Sequence, residues 1–131
     1  WVGMEARAAM PAAYNGVPLT LYPAPAPGAD RTILVAYDAQ GHEAIRQEIP
    51  VGTDPVQWTG TTATGGQVLP GTYSFKLESY KAGELQTSDA VELFGKITEV
   101  RQSATGAVLV TASGATVAPG QIKALRPIAV P

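Results

Sequence analysis

Residues 58–75 read WTGTTATGGQVLPGTYSF: an aromatic strand end, a Gly/Thr loop, then a second aromatic strand. From Thr72 onward the side chains alternate, with Tyr73, Phe75 and Leu77 on one face and Thr72, Ser74, Lys76 and Glu78 on the other. A period of two marks an antiparallel strand with one face in a core and the other in water. Pro70 and Gly71 punctuate its start. The stretch predicts a β-sandwich and contains no reacting group, so function has to be sought in the whole arrangement.

Working outward, the same texture repeats. Residues 17–22 read as a strand that ends in PAPAPG, residues 23–28, where alternating Pro enforces an extended connection. Residues 32–37 are continuously apolar and turn at Asp38–Gly41 into residues 42–49, a hairpin. Further strands are expected at 56–58, 71–80 and, after a turn over 81–84, at 85–93. Strands at roughly 8 to 12-residue spacing indicate a small sandwich. The N-terminal ten residues read as a short strand-like piece, followed by Pro11 and a turn at Asn15-Gly16, which places a boundary near 11–16.

After Phe94-Gly95 the segments become shorter: 96–101, 108–111, 115–117 and 121–125, with turns at Thr105-Gly106, Ser113-Gly114 and Pro119-Gly120. These predict a small, strongly bent barrel. The charge changes as well, since residues 14–90 carry a net −4 and the flanks a net +2. Four short strands leave exposed edges, so residues 1–10 are expected to return and pair with them. The expected organisation is a barrel from 1–13 and 92–131, with a sandwich of residues 14–91 inserted into it.

Composition narrows the function classes. The chain has 131 residues, 45% of them hydrophobic, enough for a packed core. Fourteen Gly and eleven Pro leave little room for long helices. Without cysteine there is no disulfide framework, thiolate nucleophile or Cys-based zinc site. A net charge of −2 argues against nucleic acid as a partner. No apolar run reaches the length of a membrane span, and residues 1–25 lack the layout of a signal peptide. The chain opens on Trp1 and not on Met, so it is expected to be part of a longer protein.

Candidate chemistry is sparse, and neither a catalytic residue nor a cofactor is expected. His42, in Gly-His-Glu-Ala-Ile-Arg, has no second His one helical turn away to share a metal, and it follows a turn. Asp30, Asp38, Asp54 and Asp89 sit at turns, where carboxylates cap backbone donors, and they lack the two-residue spacing of a calcium loop. Glu43 and Glu48 are an odd number of residues apart, which places them on opposite faces of one strand and not as a glycosidase pair. No Gly-x-Ser-x-Gly elbow occurs. Phe94 and Trp1 are too few rings for an aromatic cage in the barrel and are expected to pack against the neighbouring domain. Trp58, Tyr73 and Phe75 are expected in the sandwich core, with Tyr14, Tyr22, Tyr37 and Tyr80 divided between core edge and surface.

Three groups of residues together resemble the flagellar hook-capping protein family, FlgD. They are the opening Trp1-Val2-Gly3-Met4; Tyr37-Asp38-Ala-Gln-Gly41 followed by Trp58-Thr59-Gly60 and Leu69-Pro70-Gly71-Thr72-Tyr73-Ser74-Phe75; and Phe94-Gly95-Lys96-Ile97-Thr98-Glu99-Val100 with residues 106–110 and Gln121-Ile122. In place of the family's usual acidic and amide loop residues stand Thr59, Thr61, Thr62 and Thr64. The resemblance implies an all-β fold, a fibronectin III-like or immunoglobulin-like β-sandwich inserted into a Tudor-like β-barrel. It further implies a non-enzymatic cap at the distal end of the growing hook that assists polymerisation of hook subunits. Its partners would be the flagellar hook protein and further copies in a ring, without membrane insertion, after export by the flagellar type III route, which uses no cleaved signal peptide. Loops at sandwich ends carry recognition because a rigid scaffold positions them. The expected contacts are therefore the 59–67 loop, with Thr59, Thr61, Thr62, Thr64 and Gln67, and the 23–30 loop, with Pro23, Pro25, Pro27 and Asp30. The competing reading is an extracellular sandwich module that binds carbohydrate or protein, which needs exposed coplanar aromatics.

Overall fold

The computed structural model describes residues 2–104 and 106–127; Trp1 and Thr105, parts of the opening and turn expectations above, lie outside them. In chain order the strands are β1 (Met4–Ala9), β2 (Ala12–Tyr14), β3 (Leu19–Tyr22), β4 (Arg31–Tyr37), β5 (Glu43–Ile49), β6 (Val56–Trp58), β7 (Gly71–Lys81), β8 (Glu84–Ala90), β9 (Glu92–Ser103), β10 (Gly106–Thr111), β11 (Thr116–Val117) and β12 (Ala124–Pro127). The fold is all-β; among the described residues only a 3-10 turn, Pro119–Gln121, is helical.

One sheet runs β2-β7-β4-β5, with β8 on β7 beyond the end of β2. Tyr73, Phe75 and Leu77 of β7 turn inward together with Leu34 of β4 and Ile45 and Ile49 of β5. Facing them are Trp58 at the end of β6, Leu21 of β3 and Leu93 of β9. The expected alternation of β7 is borne out, because only its inward set is fully buried.

β9 joins the two halves of the molecule. Its first residues pair with β3 through Leu21↔Leu93 and Tyr22↔Glu92. Its other edge carries β1 from Glu5↔Lys96 to Ala9↔Glu92, and its later residues pair with β10. β12 adds to β1 through Met4↔Pro127 to Arg7↔Ala124. The resulting order, β11-β10-β9-β1-β12, curls around a small core of Ala6, Ile97 and Leu109. The expected return of the N-terminal residues to the later strands is this β1 ladder.

Four expectations need correction. Residues 85–93 are not one strand: Val91 is buried, donates its N–H to the Phe75 carbonyl at 3.0 Å and carries the chain from one sheet to the other. β9 then passes straight through Phe94-Gly95. The expected strand at 121–125 starts only at Ala124, in β12, because Pro119 initiates a 3-10 turn, closed by Ile122 N–H on the Pro119 carbonyl at 3.2 Å. The 11–16 segment contains a strand, β2, and Tyr14 on it is deeply buried and not at a core edge. Finally, Glu43 and Glu48 share the outer face. The register slips at Ala44, so that Tyr37 faces Glu43 while Ala36 faces Ile45, and this bulge returns Glu43 to the side of Arg46, 2.9 Å away.

That outer face is covered by charge. Arg46 of β5 and Glu78 of β7 flank β4 and meet across it at 2.6 Å, above Ile33 and Val35, which are buried although they point away from the sandwich core. The aliphatic stem of Arg46 supplies apolar cover while its head stays wet. Hydrogen bonding to Arg46 holds the Glu78 carboxyl below the usual carboxylate range.

Candidate functional site

The 59–67 loop is a small structure of its own. Thr61 and Gln67 face each other in a β-bridge, Thr62 N–H donates to the Gly66 carbonyl at 2.7 Å, and Gly65 N–H donates back to Thr62 at 3.0 Å. The hydroxyls of Thr59 and Thr61 lie 3.0 Å apart and those of Thr62 and Thr64 3.2 Å apart. Thr pairs at this spacing satisfy one another locally, as short polar side chains do in turns. The base is anchored to the core: Tyr14 Oη donates to the Thr59 carbonyl at 2.7 Å, and Val68 N–H donates to Gly60 at 3.0 Å. Thr59, Thr61, Thr64 and Gln67 are exposed and Thr62 is half-buried.

Beneath the loop lies an aromatic cluster. Tyr14 meets Trp58 edge-on at 5.1 Å and Tyr73 at 6.0 Å, and Trp58 meets Phe75 at 4.9 Å. Edge-to-face pairs of this kind are worth about 0.5–1.5 kcal/mol each beyond their buried area. Tyr73 Oη reaches back to the Leu69 carbonyl at 2.6 Å, a tyrosine corner, in which a strand-start Tyr pins the backbone a few residues upstream. Burial, then the nearby Asp38 charge, push the Tyr73 phenol up.

The pinned residue itself points outward. Leu69 is 81% exposed, and residues Leu69–Tyr73 form one wall of a groove of about 300 Å³ whose other wall is Asp38, Ala39 and Gln40. Asp38 shapes that wall as expected of a turn carboxylate, accepting N–H bonds from Gln40 and His42 at 2.9 Å each. His42 is exposed, its Nδ1 3.8 Å from Asp38. In the sequence Leu69 figured only as the first residue of the Leu69–Phe75 pattern; the tyrosine four residues downstream was the available signal for its role.

The 23–30 loop lies elsewhere. Ala26 N–H donates to Ser79 Oγ at 3.0 Å, Asp30 N–H to the Tyr80 carbonyl at 2.9 Å, and the Asp30 carboxylate accepts Ala82 N–H at 3.0 Å. It therefore packs on the far end of β7, roughly 25 Å from the 59–67 loop at about 3.3 Å per strand residue. The two expected contact loops do not form one surface. Pro27 and Asp30 are exposed and Pro25 is half-buried, but Pro23 is buried and cannot meet a partner directly.

A second constellation went unrecognised in the sequence. Phe94 is half-buried and packs edge-on against Tyr22 at 5.5 Å. The guanidinium of Arg126 lies 3.8 Å from the Phe94 ring centroid and that of Arg7 4.4 Å from the Tyr22 centroid. Arg126 also bonds Glu5 at 2.9 Å and Arg7 bonds Glu92 at 3.0 Å. Both rings already carry a cation, so they offer no open cage. Among the described residues no three His, Asp or Glu side chains are grouped to hold a metal, and no helix is long and apolar enough to cross a membrane.

The model of the FlgD Ig-like domain matches residues 9–83, more than half of the chain. The chain belongs to the FlgD family. No curated protein matches the sequence, but solved structures do. FlgD from P. aeruginosa shares 17% identity at a TM-score of 0.75, over 95% of this chain and 97% of that one. FlgD from Xanthomonas campestris, described in connection with hook capping essential for flagellar assembly, shares 19% at 0.69, over 95% and 94%. At such identities the likeness is one of fold, and it spans both the sandwich and the curled sheet. The family match runs from Ala9 to Gly83, so β1 up to its last residue, and β8 with everything after it, rest on the structural likeness.

Proposed function

We propose that this chain is the core of a hook-capping scaffold, a non-enzymatic protein that sits at the distal end of the growing flagellar hook and assists addition of hook subunits. The match to the FlgD Ig-like domain carries this reading. In this reading residues 14–91 are the inserted unit of a body completed by 1–13 and 92–131, several copies close into a ring, and the protein leaves the cytoplasm by the flagellar type III route. The hook protein is the partner, and the 59–67 loop with the adjoining Leu69 is the contact element. Its backbone is tied to Tyr14 and Tyr73, so little ordering entropy opposes binding. The 23–30 loop, at the other end of the sandwich, would serve a separate contact. Sugar stacking is not favoured, because Trp58, Tyr73 and Phe75 are buried.

Deletion of residues 61–65 in the full-length protein tests this. Short or absent hooks and loss of hook subunits to the medium are expected. Normal hook length with normal subunit retention would overturn the assignment of this loop.

A further inference from the structure

The sandwich and the curled sheet are joined by little backbone pairing: the β3–β9 ladder has two residue pairs, Leu21↔Leu93 and Tyr22↔Glu92. On one face of the sheet at this seam, however, six side chains from four strands form an unbroken chain. Glu5 of β1 bonds Arg126 of β12, Arg126 stacks on Phe94 of β9, Phe94 meets Tyr22 of β3 edge-on, Tyr22 carries Arg7 of β1, and Arg7 bonds Glu92 of β9. The register explains their common side, since Arg7 lies opposite Phe94 and Glu5 opposite Arg126. Of the six, Tyr22 alone lies on a sandwich strand outside β1, β9 and β12.

We propose that this stack is the latch that fixes the angle between the sandwich and the curled sheet, so that the two move as one body. Two Arg and two Glu make the stack electrically neutral, and each guanidinium both bonds a carboxylate and covers a ring. Arginine can do both at once because its fork is planar, whereas lysine offers a point charge. Each ring is covered by a guanidinium and the two rings meet edge-to-face, so rotation of the sandwich about the short β3–β9 ladder must break Arg7–Tyr22 or Tyr22–Phe94. On the opposite face of the seam Met10 packs against Gly95. Rotation toward that side is resisted by this contact, and rotation away from it by the latch.

Residual dipolar couplings of the 131-residue chain test the proposal. Amides of β4, β5 and β7 and amides of β9, β10 and β1 are expected to fit one alignment tensor in the native protein. In Arg7→Ala/Arg126→Ala they are expected to require two, while the chemical shifts within each group stay native. Arg7→Lys/Arg126→Lys keeps the charge and loses the planar stack, and is expected to require two tensors as well. A single tensor in both variants would overturn the latch and leave the angle to β9 and to the apolar core shared across the seam, where Ala8, Met10, Leu93 and Val117 pack with the sandwich residues. Unfolding of both variants would also overturn it, since the stack would then hold the fold and not the angle.

Discussion

Gly60 lies against the ring of Tyr14 so closely that a Cβ built on it would stand 2.7 Å from both Cζ and Oη. Its φ of +70 adds a second requirement for glycine. Gly60→Ala therefore faces a left-handed backbone, costing about 1–2 kcal/mol, and overpacking against a fully buried ring, about 1–3 kcal/mol. A loss of about 3 kcal/mol in urea denaturation is expected, with an unchanged m-value. Gly65, at φ +90, has open space around its Cβ position, so Gly65→Ala in the same loop should lose only about 1–2 kcal/mol. Equal losses would mean that the ring contact contributes nothing.

Tyr73→Phe removes the 2.6 Å bond to the Leu69 carbonyl and leaves the ring in place. Leu69 is exposed, so water can take over the carbonyl and the cost should stay near 1 kcal/mol. Faster hydrogen exchange should be confined to the loop ahead of β7. The phenol also gives a pH signature. Burial raises its folded pKa above the ordinary value, so the unfolded chain ionises first and stability falls as pH rises from about 10. The Phe variant should show a shallower alkaline decline, and identical slopes would exclude Tyr73 as its source.

Much of this architecture was legible because it depends on local pattern. Period-two alternation in β7 has one reading, and the short apolar run of β4 reads as a strand from its length, its β-branched residues and the turn that follows it. The Asp38–Gly41 turn marks the end of the β4–β5 hairpin, and Pro70-Gly71 marks the entry to β7. What escaped depends on partners distant in sequence. Tyr14 is core because Trp58 and Tyr73 surround it, and its neighbours Ala12 and Ala13 announce no strand. Glu43 changed faces because of one bulged residue. The Arg7–Tyr22–Phe94–Arg126 stack joins side chains up to 119 positions apart, and each alone reads as an ordinary strand residue.

Glu78 accepts from Arg46 at 2.6 Å and from Tyr80 Oη at 2.7 Å, and the Arg46 bond is the main cause of its lowered pKa. A depressed carboxyl contributes stability above its unfolded value, near 4.3, and that contribution is lost as pH falls through the folded value. Arg46 is half-exposed, so the pair is expected to contribute no more than about 1 kcal/mol. Glu78→Gln should lower neutral-pH stability by that amount and flatten the decline below pH 4. Arg46→Ala should cost more than Glu78→Gln, because it also uncovers Val35 and Ile33. If the two cost the same, the arginine stem is not covering the strand.

Gly95 and Met10 make the other close approach, with a built Cβ 2.7 Å from Met10 Sδ and 3.1 Å from Cε. Here the neighbour is an adaptable thioether and the backbone is extended, so the outcome differs from Gly60. Gly95→Ala should cost about 1–2 kcal/mol as Met10 repacks. Met10→Ala, emptying a buried site, should cost about 2–4 kcal/mol. Combined, the two should be less harmful than their sum: the new methyl occupies space the thioether vacated, and alanine is preferred over glycine inside a strand by about 0.5–1 kcal/mol. A double-mutant cycle should therefore return a favourable coupling above 1 kcal/mol. Additivity would mean that Met10 does not hold the seam at Gly95, and the resistance on that side of β9 would have to come from Thr111, whose Cγ2 is the next atom, at 3.4 Å.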